Sequence, residues 1–409
     1  MKSIGAFIFG GSQTIGHLQA GWDVTQILEM TDDMRYNNSY HFIKNYPNIP
    51  VIDPKEWDNE TYLEKLKNEE YDLLFANNPC SGLSAINRNA NVNQPINNKF
   101  FEVFNIIEKI RPKSFLIENA PKLVTMGTSI LQKMVNDLHD IYNFTIIRDE
   151  AGNHNVPMKR MRTLIVGWRK DIFPVHPIIR SLAQPLFTIG DAIKDVTESL
   201  PNCEYDDRNR SWKNLQPYYN LVDVGNSVLR MCCEYYDKLP LELNERQFND
   251  IKSAKFKLDL GGNIWDKSPW RLDNDKTCAS INSLTQFIHP TEHRDLYIRE
   301  YARLMGYPDD FIFYPNECKC STVQCIAQGV PVNFIKYISE EIKNAFDEFV
   351  NNSFNMFTNS MSVNYSVQYQ HNPKGMRKSY TFDEFMSINN LNDDLMNSPK
   401  DTINYINYI

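Results

Sequence analysis

The sequence predicts an α/β protein, with a sheet of mostly buried strands followed by a second, smaller and less regular β-containing domain. Two observations carry this expectation. Residues 1–170 alternate strand-like and helix-like segments. From about residue 171 the segments become short, polar and aromatic, punctuated by Pro174, Pro177, Pro185, Pro201 and Pro217.

Taken in order, Ile4 to Phe9 reads as a buried strand running into Gly10 and Gly11, and Thr14 to Ala20 suits a helix. Val24 to Leu28 forms a second strand ending at Glu29. The charged stretch Glu56 to Glu70 is helical, and Leu73 to Ala76 is a short apolar strand. Phe101, Phe104, Ile107 and Ile110 fall at helical spacing, Pro112 ends that helix, and Ser114 to Ile117 makes the next strand. Thr145 to Ile147 and Thr163 to Val166 read as later, antiparallel strands. Helical periodicity returns over Asp295 to Met305 and Asn333 to Phe349. This divides the chain into 1–170, 171–288, a returning segment 289–350 that completes the first domain, and a tail 351–409. The tail is rich in Asn, Ser, Met and Tyr and is expected as a loose extension or a small helix around Thr381 to Met386.

With 42% hydrophobic and 23% charged residues, the chain can bury a sizeable core. It has neither a membrane-length apolar run nor a signal-peptide pattern, so the expectation is a cytoplasmic protein with no membrane partner. Eight scattered cysteines argue for reduced thiols. Cys318, Cys320 and Cys325, with His289 and His293 upstream, fit no standard zinc spacing, so no metal is expected. A net charge of −8 votes weakly against nucleic acid, although Lys159-Arg160-Met161-Arg162 and Trp168-Arg169-Lys170 are local basic runs.

Three segments carry chemistry. Pro79-Cys80 follows a buried strand, where open α/β sheets place their sites, and a helix starting near Ser84 would lower the thiol pKa. Taken alone, Cys80 reads more readily as a buried structural cysteine. Glu118-Asn119-Ala120-Pro121 ends another strand, where a carboxyl among apolar residues acquires a raised pKa and can act as an acid; a helix-capping role competes. Arg160 and Arg162 alternate at the start of a strand, so they point the same way and can converge on one ligand, or form a solvated basic edge.

Together these segments resemble the cytosine-5 DNA methyltransferases, whose motifs occur here in the family's order over roughly residues 4–345. Phe7 to Glu29, with Gly11, Gly16 and Ala20-Gly21, is similar to the cofactor loop and its ribose-binding acid. Pro79-Cys80 resembles the nucleophile motif, Glu118-Asn119 the acid motif and Arg160/Arg162 the paired arginines. Phe187 to Ile193, Ile288-His289-Pro290, Arg299 to Phe311 and Gln328-Gly329-Val330-Pro331 match the later motifs. The resemblance implies a Rossmann-like S-adenosylmethionine-dependent methyltransferase sheet with 171–288 as a target-recognition domain. It implies Cys80 as nucleophile, Glu118 as acid at ring nitrogen 3, and Asn119, Arg160 and Arg162 holding the base. Phe7, Gly10, Gly11, Glu29 and Pro79 would contact S-adenosyl-L-methionine, with Asp53 or Asp58 near its adenine.

The implied partner is double-stranded DNA, met by a monomer in a bacterial or phage-infected cell. A cognate restriction nuclease and the target sequence are left open. Arg180, Arg208, Arg210, Lys213, Arg230 and Lys252 are available to read DNA. A related subfamily with the same motifs acts on transfer RNA, but the long 171–288 segment favours DNA by leaving room for groove-reading loops.

The chain departs from the family's pattern at the cofactor loop, where Phe9 and Ser12 stand for glycines. It departs also at Asn77-Asn78, Ser81, Ala120, Met158 and Ala327-Gln328. Ordinary methylation, an altered donor and a non-catalytic DNA-binding protein all remain open; the retained Cys80, Glu118 and Arg162 favour a live enzyme.

Overall fold

The computed structural model of the chain describes residues 1–29, 39–57, 60–84, 87–173, 177, 179, 186–209, 212–238, 242–264, 266–315, 320–350, 367–371 and 378–380. Asp58, Arg180, Arg210, Cys318 and the segment Thr381 to Met386 lie outside these residues.

The first part runs β1 (Lys2–Ala6), α1 (Ser12–Gln19), β2 (Asp23–Leu28), α2 (Ser39–Asn45), β3 (Val51–Ile52), α3 (Pro54–Trp57), α4 (Glu60–Lys67), β4 (Leu73–Asn77), α5 (Lys99–Ile110), β5 (Ser114–Asn119), α6 (Thr128–Leu138), β6 (Tyr142–Glu150), β7 (Met158–Lys159) and β8 (Met161–Arg169). Then follow α7 (Ile189–Ile193), α8 (Val228–Tyr235), α9 (Glu245–Asp259), β9 (Trp270–Arg271), β10 (Cys278–Ala279) and β11 (Phe287–Ile288). The chain returns through α10 (Ile298–Leu304), α11 (Thr322–Gln328) and α12 (Val332–Val350), and the tail adds β12 (Val367–His371) and β13 (Lys378–Tyr380).

Nine strands form one sheet in the order β13-β12-β6-β8-β5-β4-β1-β2-β3. Strands β3, β2, β1, β4 and β5 are parallel, and β8 is inserted antiparallel between β5 and β6, as its reading with Thr145 to Ile147 predicts. The strand order reverses between β1 and β4, so their carboxyl ends open a crevice where such sheets bind ligands. The tail joins the sheet as well, β12 pairing parallel with β6 and β13 antiparallel with β12.

Strand β4 shows why the central segments look uniformly apolar. Leu73 and Phe75 enter one apolar cluster, Leu74 and Ala76 a second, because alternate side chains leave opposite faces and both faces are covered. A third cluster gathers Trp212, Leu215, Tyr219, Val228, Cys232 and Ile251 away from the sheet. By contrast Ile189 and Ile193 of α7 pack into the first sheet cluster.

The returning α12 closes the sheet beside α1. A side chain at Gly16 would place its Cβ 2.8 Å from Ile335 Cβ and 2.9 Å from the Val332 carbonyl oxygen, so the helices meet at backbone distance. His17 Nδ1 lies 2.6 Å from Ser339 Oγ, and Trp22 Nε1 donates to the Ser339 carbonyl at 3.2 Å. This packing seats α1, whose first turn borders the crevice. Gly16→Ala should therefore destabilise the fold by about 1–3 kcal/mol through overpacking. A thermal melt checks this, and an unshifted transition would mean that α1 and α12 tolerate separation.

Candidate active site

The register between β4 and β5 sets the centre of the site. Asn77 pairs with Glu118, so Cys80 and Glu118 lie at adjacent strand ends. On the other side of β5, Asn119 pairs antiparallel with Thr163, which brings the start of β8 to the same edge. Arg162 Nε then reaches Glu118 Oε1 at 2.7 Å, both side chains largely out of solvent. Asn119 donates to the Asn78 carbonyl at 3.0 Å and pins the backbone two residues before Cys80.

Cys80 is half-buried and packs at the edge of the second apolar cluster, beside half-buried Pro79. Among the described residues no helix starts near Ser84; the chain makes a turn closed by Leu83 N–H to the Cys80 carbonyl at 3.0 Å. The expected lowering of the thiol pKa is reversed. Burial pushes it up, with Arg162 opposing and Glu118 adding to the rise. Burial likewise pushes the Glu118 carboxyl up, and it outweighs the opposing fields of Arg162 and Arg160. The pair is therefore a protonated thiol beside a carboxyl that holds a proton more readily than usual.

The paired arginines do not converge on one ligand, which corrects the sequence reading. The ladder is interrupted at Arg160, between β7 and β8, and its guanidinium turns away into the protein. It donates to the Ile281 carbonyl at 2.7 Å, to Ser280 Oγ at 3.1 Å, and to the Ala327 and Gly329 carbonyls at 2.7 and 2.6 Å. Arg160 thus braces three segments far apart in sequence, while Arg162 alone faces Glu118.

The loop after Cys80 is shaped by asparagines whose role is not evident in the sequence. Asn87 and Asn91 accept from the N–H two residues on, at 2.9 and 3.0 Å, and Asn87 Nδ2 holds the Ser81 carbonyl at 2.9 Å. Asn97 fills the space that a side chain at Gly82 would need. The alternation of Asn at every second position from 87 to 93 is the signal that could have revealed these turns.

At the crevice, Phe7 N–H bonds the Leu28 carbonyl, and Glu29 N–H bonds the Ile52 carbonyl, both at 3.0 Å, so the ends of β1, β2 and β3 are level. Phe7 and Glu29 are buried, and Asp53 follows β3 with one oxygen accepting from Lys55 N–H at 2.9 Å. Phe7 (φ 63°) and Phe9 (φ 48°) both take the left-handed conformation that favours glycine, and their rings stack with centroids 6.4 Å apart. Gly10 and Gly11 are needed for internal packing. Added Cβ atoms would meet Tyr307 Oη at 2.7 Å and the Phe42 ring at 2.5 Å. Tyr307 also donates to the Gly10 carbonyl at 3.0 Å, tying the loop to the returning segment. No group of metal-binding side chains occurs among the described residues.

A methyl donor with a charged amino-acid end and a polar nucleoside fits this crevice. Buried Gln13 (both amide atoms), Thr14 Oγ1, Asn77 Nδ2 and Asn78 Oδ1 have no hydrogen-bond partner within the described protein, and such atoms are costly unless a ligand or water satisfies them. All four residues lie at the start of α1 or the end of β4.

A family model described as C-5 cytosine-specific DNA methylase matches residues 10–344. Among characterised relatives, the type II methyltransferase M.DdeI of Desulfomicrobium norvegicum is 23% identical over 381 residues, covering 85% of this chain and 89% of its own. The type II methyltransferase M.MthTI of Methanothermobacter thermautotrophicus is 26% identical over 281 residues, covering 67% and 78%. Among solved structures, one described as a DNA modification methyltransferase encoded within an E. coli prophage superposes with a TM-score of 0.62 at 18% identity, covering 85% of this chain and all of its own. Entamoeba histolytica EhMeth gives 0.53 at 12% identity, covering 84% and 98%. With the family's motifs in order and its match spanning most of the sequence, this chain belongs to the C-5 cytosine-specific DNA methylases, which use S-adenosyl-L-methionine as methyl donor.

Proposed function

We propose that the chain methylates carbon 5 of a cytosine flipped out of duplex DNA, through a covalent adduct at Cys80. The observation that carries this reading is the cluster of Cys80, Glu118 and Arg162 at adjoining strand ends.

Carbon 5 of cytosine is a weak nucleophile. Addition of the Cys80 thiolate at carbon 6 forms an S–C bond and pushes an electron pair through the ring toward nitrogen 3. Glu118, whose burial favours the protonated form, donates its proton there, and Arg162 holds the carboxyl in place and reaches the ring's carbonyl oxygen. Carbon 5, now enamine-like, takes the methyl group. Loss of its proton then returns electrons to break the S–C bond and release Cys80, and nitrogen 3 gives its proton back to Glu118. S-adenosylmethionine supplies an electrophilic methyl on a positively charged sulfur. Glu29 would hold its ribose, Phe7 would pack near its adenine, and Gly10, Gly11 and Pro79 would border it; Asp53 is the candidate for the adenine edge. Asn119 fixes the Cys80 backbone, and Arg160 fixes the strand that carries Arg162. A base inside a duplex cannot reach a thiol set in this crevice, so flipping is required. In this reading 171–288 recognises the target, and 289–350 completes the catalytic domain.

Wild type should form a denaturation-resistant adduct with DNA containing 5-fluorocytosine, and Cys80→Ser should form none; equal retention of both on gels would sink the covalent mechanism. Glu118→Gln should lower kcat by ~10²–10⁴-fold with DNA affinity kept. The reacting form pairs a Cys80 thiolate with a protonated Glu118, so in Glu118→Gln, where that position no longer titrates, the residual single-turnover rate should climb as pH rises toward the ordinary thiol range; a flat profile in that variant contradicts a protonated resting thiol.

Phe9 strains the loop by about 1–2 kcal/mol relative to glycine. Phe9→Gly should therefore raise the melting temperature, whereas a lowered transition would show that the packing of the Phe9 ring outweighs the strain.

A further inference from the structure

A basic trough runs from the loop after Cys80 to helix α9. A cavity of about 440 Å³ is lined by Arg88 of that loop, by Ser280, which Arg160 holds, and by Lys267. A second cavity of about 640 Å³ shares Lys267, Leu284 and Gln286 with the first and continues to Arg208, Arg246 and Lys257. The two are therefore one depression. Its far wall is a single face of α9, since Arg246, Asp250, Ser253 and Lys257 recur at helical spacing, while Gln247, Ile251 and Ala254 are the buried positions of the helix.

The charge along this depression opposes that of the whole chain. Arg88, Arg208, Arg246, Lys257 and Lys267 are all exposed, on a protein of net charge −8. Of the acids in the lining, Asp273 pairs with Lys276 at 2.8 Å, while Asp266, which accepts from Ser227 and Ser268, keeps its charge but is outnumbered by the basic side chains. Asp250 reaches Arg246 only at 3.9 Å. Local positive sign on an acidic protein, continuous with the catalytic loop, selects a polyanion that enters the active site.

We infer that Arg246 and Lys257 of α9, with Lys267, grip the phosphate backbone of duplex DNA to one side of the flipped cytosine, and so set where the duplex lies across the site. This rests on the methyltransferase reading above, because the occupant of the trough is the strand whose base reaches Cys80. Phosphate pairing of this kind fixes position and register without reading sequence.

The test is the full-length triple variant R246Q/K257Q/K267Q, with K238Q as control; Lys238 is exposed beyond the end of α8 and does not line the trough. All substituted side chains are exposed, so unchanged melting temperatures are expected. Fluorescence anisotropy with a short mixed-sequence duplex, over a range of salt, should show the slope of log affinity against log salt reduced by about 0.9 for each phosphate no longer neutralised. Affinity at ~0.15 M salt should fall at least roughly tenfold. The rate of methyl transfer at saturating DNA should stay near wild type, with K238Q indistinguishable from wild type. An unchanged slope in the triple variant, an equal fall in affinity in K238Q, or a slope reduced with transfer RNA but kept with duplex DNA would overturn the assignment. If wild type itself neither binds nor methylates DNA, the methyltransferase reading has failed instead.

Discussion

The ion pair between Glu118 and Arg162 exists because β5 is parallel to its neighbour on one side and antiparallel to its neighbour on the other. The parallel side brings the end of β4, and with it Cys80. The antiparallel side brings the start of β8, and with it Arg162. Were β8 parallel to β5, its amino end would lie at the opposite edge of the sheet and Arg162 could not reach the carboxyl. The insertion of β8 is thus what assembles three chemically distinct side chains in one crevice, where burial sets the protonation of the thiol and the carboxyl.

The site also depends on parts of the chain that contribute no reacting group. Arg160 ends in carbonyl and hydroxyl acceptors from residues 280–281 and 327–329, and Tyr307 bonds the Gly10 carbonyl. A guanidinium suits this task because its planar array of donors can satisfy several fixed carbonyls at once, which an ammonium does less well. These hydrogen bonds join the start of β8, the glycine loop after β1 and the returning segment. The same packing explains the glycines at 10 and 11: their missing side chains leave room for Tyr307 and Phe42. Phe9 has no such packing reason to be glycine, and it keeps the left-handed backbone at a conformational cost.

Charge is distributed by location. The chain is acidic in total, yet the depression beside the site collects exposed Arg and Lys side chains that outnumber its acidic ones. Net charge therefore misleads about the partner, because a polyanion responds to the local field within a Debye length of the surface, about 8–10 Å.

The sequence by itself determined the strands of the central sheet, since short apolar runs bounded by glycine, proline or polar residues have few other uses. It determined Cys80 and Glu118 as strand-end residues, and the family through motifs kept in order. Tertiary structure decided the rest. The alternation of Arg160 and Arg162 allowed convergence on one ligand or a solvated basic edge, but a break in the ladder sent one to backbone carbonyls and left the other at Glu118. Burial raised the Cys80 thiol pKa, where a helix start near Ser84 would have lowered it. The tail gave no periodic signal, yet residues 367–371 and 378–380 extend the sheet, because an unpaired edge at β6 supplies hydrogen bonds that local sequence does not encode. In each case the deciding partner lies far along the chain, where pattern and propensity carry no information about which groups will meet.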